Sequence, residues 1–156
     1  MSSYAQQLRD VSDISKDLSI GIVRSEFHDE MVDDLVSENV EFLAEHDFTH
    51  ITEYRVPWAL EIPSMVSRLL ELGGHDIILC FWVVLRWATT HYDTVVEQSA
   101  RALMDISTQS DTVIINGIVT CEDEDQVAER TLPVYAISWL NYVAELVEKE
   151  LLEVED

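Results

Sequence analysis

The sequence predicts an α/β fold, a three-layer sandwich with helices on both faces of a four-stranded parallel sheet. Three observations carry this. Short β-branched runs alternate with amphipathic stretches along the chain, the pattern of strands linked by crossover helices. One run, Ile77 to Leu85, is apolar at every position, as a central strand covered on both faces should be. A chain of 156 residues with no internal repeat or linker is long enough for one sizeable core and too short for two ordinary domains.

The elements follow in order. The first eighteen residues mix Asp, Ser, Gln and Lys without sustained periodicity and are expected as a mobile or edge arm, with one domain over 19–156. Ser19 to Arg24 is short and β-branched, a first strand. Asp29 to Glu45 keeps Met31, Val32, Leu35, Val36, Phe42 and Leu43 at near-helical spacing. Ile51 to Val56 is a second strand, interrupted by Pro57. Ser64 to Leu72 carries Met65, Val66, Leu69, Leu70 and Leu72 on one helical face until Gly73 and Gly74 stop it. After Ile77 to Leu85, Thr90-x-x-Asp93 has the form of a capping box with the shorter acid, so a helix should start near His91. Thr112 to Thr120 is a fourth strand, followed by an acidic turn over 121–125, a short helix to Arg130 and a last helix from about Pro133. Ligands of such sheets bind beyond the carboxyl ends of the strands. The candidate site segments are therefore 25–28, 57–61, 84–91 and 116–121.

Composition narrows the function. Thirty-one acidic residues against nine basic ones give a net charge of −22, a field that repels phosphate backbones and anionic lipid; neither nucleic acid nor membrane is expected as a partner. The longest apolar run is nine residues, whereas a membrane-spanning helix needs about twenty. Met1 to Gln7 offers neither a basic nor an apolar leader region, so a cytoplasmic location is expected. Cys80 and Cys121, far apart and outside any CxxC spacing, are expected as core thiols. His46 and His50 have helical metal spacing, but a helix end between them argues against zinc. Residues 122–125 lack the glycine and ligand alternation of a calcium loop. No metal or cofactor is expected. Between Leu132 and Val147 only Ser138, Asn141 and Glu145 break the apolar pattern, all on one stripe. So wide an apolar arc predicts subunit association.

Three linked motifs then carry a resemblance. Val56-Pro-Trp-Ala-Leu-Glu-Ile-Pro63, Val83-Val-Leu-Arg-Trp-Ala-Thr-Thr-His-Tyr-Asp93, and Gly117-Ile-Val-Thr120 with Gln126-Val-Ala-Glu-Arg130 resemble, in order and spacing, the lumazine synthase family. That pattern reads roughly VPGxxEIP, VxIRGxTxHxD, and GVxT with a downstream ER. The resemblance implies a flavodoxin-like fold and a transferase of riboflavin biosynthesis. Its reaction condenses 5-amino-6-ribitylamino-uracil with 3,4-dihydroxy-2-butanone 4-phosphate to 6,7-dimethyl-8-ribityllumazine, without metal or cofactor. It further implies pentamers, with the site between neighbouring subunits.

Residue by residue, the resemblance makes His91 the proton shuttle, a role suited to a helix start, where the dipole favours the neutral base. Phe27 corresponds to an aromatic that stacks on the pyrimidine, although the triplet around it reads Glu26-Phe27-His28. Trp58, Ala59, Leu60 and Glu61 fall on the turn that holds the ribityl chain, with Glu61 accepting hydroxyl hydrogen bonds. Val84 and Leu85 offer backbone groups to the heterocycle. Ala88 and Thr89 seat the phosphate at a helix N-terminus, Arg130 pairs with it, and Asn116 stands where an aromatic packs against the neighbour's ligand. Without the motifs, Phe27 reads equally as core, Glu61 as a helix-entry carboxylate, Arg130 as one half of a surface ion pair with Glu129, and a lone His91 as structural. The departures are as informative. All four tryptophans, Trp58, Trp82, Trp87 and Trp139, align with family glycines, and Ser138 replaces a lysine within a segment, Leu132 to Trp139, that is glycine-rich in the family. An indole where glycine allows close approach fills space. Two expectations follow: a lumazine-synthase-like enzyme with weakened activity, or an engineered or repurposed non-catalytic scaffold that self-assembles into an oligomer or shell with its pocket filled.

Overall fold

The computed structural model describes residues 7–85, 90–122, 125 and 134–154. Strand β1 (Ile20–Ser25) leads to helix α1 (Asp29–Glu45), β2 (Ile51–Val56), a 3-10 turn (Ala59–Glu61) and α2 (Ile62–Leu72). Then come β3 (Ile77–Leu85), α3 (Thr90–Ser107), β4 (Val113–Cys121) and α4 (Val134–Glu148). The strands form one parallel sheet in the order β2-β1-β3-β4, the architecture that the alternation predicts. From β1 the chain moves outward to β2 and then returns past β1 to β3. The winding therefore reverses between β1 and β3, which opens a crevice above their carboxyl ends.

Side-chain alternation along the strands builds two cores. Ile20 and Ile22 of β1, with Ile77, Leu79, Phe81, Val83 and Leu85 of β3, join the core under α1 and α4. Val23, Ile78, Cys80 and Trp82 join the core under α2 and α3. Both faces of β3 are covered, which is why that strand is apolar throughout. On α1 the buried positions Val32, Leu35, Val36, Asn39 and Leu43 recur at helical spacing; buried Asn39 donates Nδ2–H to the Leu35 carbonyl at 2.7 Å. Helix α2 begins two residues before the expected Ser64, because Pro63 sits in its first turn, where a missing N–H leaves no helical bond unmade. It stops at Gly73 and Gly74, both at positive φ (72° and 97°), a backbone that glycine adopts without a Cβ penalty. The short helix expected to end at Arg130 lies outside the described residues.

Residues 7–18 pack against the rest of the chain. Val11, Ile14 and Leu18 are buried in the α1/α4 core, and Lys16 lies 4.1 Å above the Phe48 ring. Arg9 pairs with Glu145 (2.7 Å) and Glu148 (2.5 Å) of α4. The Arg9 N–H donates to Asn141 Oδ1 (2.8 Å), and Asn141 Nδ2 donates to the Gln7 carbonyl (2.9 Å). This segment thus contacts Asn141 and Glu145 of the polar stripe of α4, while Ala136, Trp139, Leu140, Val143 and Ala144 are buried in the chain's own core. Much of the apolar arc expected to need a neighbour is satisfied within the chain. Among the described residues no helix is long and apolar enough to cross a membrane.

Candidate functional site at the carboxyl end of the sheet

Strands β1 and β2 end level, Ser25 opposite Val56. Pro57 has no N–H to extend the ladder, so both chains turn there. The turns are tied together: Glu26 N–H donates to the Val56 carbonyl (2.7 Å) and Phe27 N–H to the Pro57 carbonyl (3.2 Å). Ser25 Oγ donates to the Phe27 carbonyl (3.3 Å). The result is a cluster of aromatic rings. Phe27 and Trp58 stand 4.7 Å apart between centroids, tilted by 39°, and the His28 ring is 4.0 Å from that of Phe27. Phe27 is 40% and Trp58 55% exposed, so each ring keeps part of its surface in solvent.

Beneath this ledge, Arg24 fixes the start of α1. Its guanidinium is fully buried and donates to Asp33 Oδ1 (2.6 Å), Asp29 Oδ1 (2.5 Å) and the Asp29 carbonyl (3.3 Å), while Nε donates to the Ser25 carbonyl (3.3 Å). Arg55 adds a contact to Asp29 at 3.3 Å. Asp29 also lies in the first turn of α1, where the helix dipole favours a negative charge. The arginine therefore clamps both ends of the 26–28 turn, and His28 between them takes a left-handed backbone (φ 59°).

A step in the sheet completes the crevice. Pairing of β1 with β3 stops at Arg24 and Phe81, whereas β3 and β4 stay paired to Leu85 and Cys121. Residues 82–85 thus extend about 13 Å past the last β1 pair at the usual rise per residue. The edge of β3 at Val84 and Leu85 stands outside the ladder on the β1 side, where its peptide groups can serve a ligand. The 3-10 turn brings Ala59, which is buried, and Glu61, which is exposed, to the same end. Glu61 N–H donates to the Trp58 carbonyl (3.3 Å), and the turn lies against α3. The fold therefore gathers Phe27, Trp58, Ala59, Glu61, Val84 and Leu85 at one end of the sheet. His91 is the second residue of α3, its side chain outside the described set, as are Trp87, Ala88, Thr89 and Arg130. Asn116 is not brought to this group. It sits on the outer strand β4 at the level of Cys80, exposed, with Oδ1 accepting the Ile118 N–H (3.0 Å).

Other expectations resolve locally. His46 Nδ1 is 2.9 Å from the Phe42 carbonyl and His50 Nε2 3.7 Å from Asp17, so the pair faces separate partners. Burial raises the pKa of the Cys80 thiol and keeps it protonated. Trp82 and Trp139 are buried in opposite cores, each with an indole N–H that has no hydrogen-bond partner among the described residues; their volume serves packing. An open cavity of about 660 Å³ lies at the other end of the sheet around His75, Asp76 and residues 110–112, and one of about 540 Å³ around Ser67, Glu71, Ile106 and residues 109–112. They lie at the amino ends of β3 and β4, away from the topological crevice. There His75 bridges Ser19 Oγ (3.1 Å) and Tyr54 OH (2.8 Å), and burial lowers its pKa despite Asp76 nearby. The sequence reading placed His28 in a candidate site segment and Arg24 in the first strand but gave neither a role. Asp29 and Asp33, one helical turn apart after a strand containing a lone arginine, were the available signal.

The family model of 6,7-dimethyl-8-ribityllumazine synthase matches residues 17–150. A 6,7-dimethyl-8-ribityllumazine synthase from Methylobacterium radiotolerans is 38% identical over 109 residues, 70% of this chain; the match spans 66% of that relative's length. The family model's match takes in all four strands, the ring ledge and the unpaired edge of β3, and the chain belongs to the 6,7-dimethyl-8-ribityllumazine synthase family.

Proposed function

We propose that this protein condenses 5-amino-6-ribitylamino-uracil with 3,4-dihydroxy-2-butanone 4-phosphate to 6,7-dimethyl-8-ribityllumazine. The observation that carries the proposal is the exposed Phe27 ring at the same end of the sheet as an unpaired strand edge beside the β1/β3 crevice, in a chain of this family. The pyrimidine stacks on Phe27 and hydrogen-bonds the backbone at Val84 and Leu85. Ala59 and Glu61 hold the ribityl chain, Glu61 accepting from its hydroxyls. The phosphate sits at the start of α3, over Ala88 and Thr89, with Arg130 as its cation.

The chemistry needs proton transfers and no electron carrier. The 5-amino group attacks the ketone and water leaves, giving an imine. Loss of the C3 proton gives an enamine that expels phosphate from C4, the resulting enol tautomerises so that the C3 hydroxyl becomes a ketone, and the ribitylamino nitrogen closes the ring on that new carbonyl with loss of a second water. Each step moves a proton between neighbouring heavy atoms, and His91 performs this transfer. Asn116, across the sheet from Phe27, serves the site of an adjoining copy in a ring of five subunits. Ser138 in place of the family lysine removes one phosphate cation, and the activity is correspondingly weakened.

The test is the condensation rate of the parent and of His91→Ala, followed by product absorbance. Replacement should slow the reaction by roughly 10²-fold, the low end for a general acid–base group. Equal catalysed rates would remove His91 from the mechanism. Absence of catalysis in the parent would favour the assembly scaffold.

A further inference from the structure

We propose that Trp58 determines ligand selectivity by competing with the ligand for Phe27: in the free protein its indole holds the ring contact that an incoming heterocycle needs. The inference rests on the reading of Phe27 as the stacking residue. The Phe27 ring is already flanked by two others, His28 at 4.0 Å and Trp58 at 4.7 Å. A flat ligand must therefore displace one of them or remain outside the stack.

Trp58 is the ring free to leave. Its main chain is extended (φ −135°, ψ 169°) and held on both sides: its carbonyl accepts the Glu61 N–H, and the carbonyl of Pro57 before it accepts the Phe27 N–H. The indole itself is 55% exposed and can swing about its side-chain torsions without disturbing those bonds. His28 is less free, because its side chain is half-buried where the indole is exposed. The 39° tilt between Phe27 and Trp58 is neither parallel stacking nor an edge-to-face contact, the two favoured aromatic geometries. A conjugated heterocycle lying flat on Phe27 can outcompete such a contact, whereas an acyclic or puckered ligand cannot. The indole thus lowers affinity for every ring ligand and excludes the weakest stackers.

The experiment is calorimetric titration of 6-ribitylaminouracil, which lacks the 5-amino group and cannot condense, into the parent, Trp58→Ala, Trp58→Phe and Phe27→Ala proteins. Circular dichroism checks that each is folded. Trp58→Ala should bind about 2- to 10-fold more tightly, the ratio set by losing one competing aromatic contact, with Trp58→Phe between it and the parent. Phe27→Ala should bind more weakly than the parent. Equal or weaker binding by Trp58→Ala overturns the role of Trp58, and the Phe27 reading survives if Phe27→Ala still loses affinity. No binding by the parent and by Trp58→Ala, or unchanged binding by Phe27→Ala, overturns both.

Discussion

Gly117 opens the third family motif, and the fold gives it a steric duty that can be measured. It lies on β4 opposite Phe81 of β3. A Cβ at this position would fall 2.5 Å and 2.6 Å from two Phe81 ring carbons and 2.8 Å from the Cys80 carbonyl oxygen. Comfortable carbon contacts begin near 3.5 Å, so Gly117→Ala forces an overlap of about 1 Å. Phe81 is buried in the α1/α4 core, and the Cys80 carbonyl belongs to the central strand of the sheet; neither has space to retreat. Overpacking of this kind costs about 2–3 kcal/mol. For a domain of this size that lowers Tm by roughly 5–10 °C. Gly21→Ala provides the internal control, because its nearest contact is 3.1 Å, to the ring of His75, which stands partly in solvent; it should lose less than half as much. Differential scanning calorimetry of the two variants and of Gly117→Ala with Phe81→Leu tests the reasoning. The double variant should recover part of the loss. An unchanged Tm for Gly117→Ala, or a larger loss at Gly21, would refute it.

Two further predictions concern buried polar groups. Neutralising Asp29 and Asp33 together to Asn leaves the buried Arg24 cation poorly compensated and should cost about 2–3 kcal/mol in urea unfolding, whereas Arg24→Met leaves half-exposed carboxylates to water and should cost less; the reverse order would contradict the clamp. Burial lowers the His75 pKa below its ordinary value of 6.5, so the folded state holds the ring neutral. Its contribution to stability is therefore full above about pH 6.5 and falls as pH drops toward the lowered value. Melting curves between about pH 8 and pH 5 should show a steeper acid-side loss for the parent than for His75→Gln; parallel curves would contradict this.

Much of the fold was legible because its punctuation is local. The bounds expected for α1, β2 and β3 are those observed; Pro57 stops β2, and Gly73 and Gly74 part α2 from β3. Strand adjacency was less open to such reading: nothing in Ile51 to Val56 shows that β1 will lie between it and β3. The step that frees the β3 edge likewise depends on the unequal lengths of β1 and β3 once paired. Residues 7–18 looked like an arm because Val11, Ile14 and Leu18, spaced for one buried face, are diluted by Asp and Ser. Arg24 was hidden for a related reason, since a cation inside an apolar strand is stable only with carboxylates that come from the following helix. The ring ledge was half legible: Phe27 and Trp58 were each singled out, but their contact requires the ties between two turns thirty residues apart. The phosphate end of the site rests on the motifs alone.

The most direct test of the account is the rate at which the purified parent protein forms 6,7-dimethyl-8-ribityllumazine from the two substrates, measured by absorbance beside the same mixture without protein. The account predicts a rate above the uncatalysed reaction that is proportional to protein concentration and saturates with the ribitylamino-uracil. A rate equal to the protein-free mixture at every substrate concentration would contradict it.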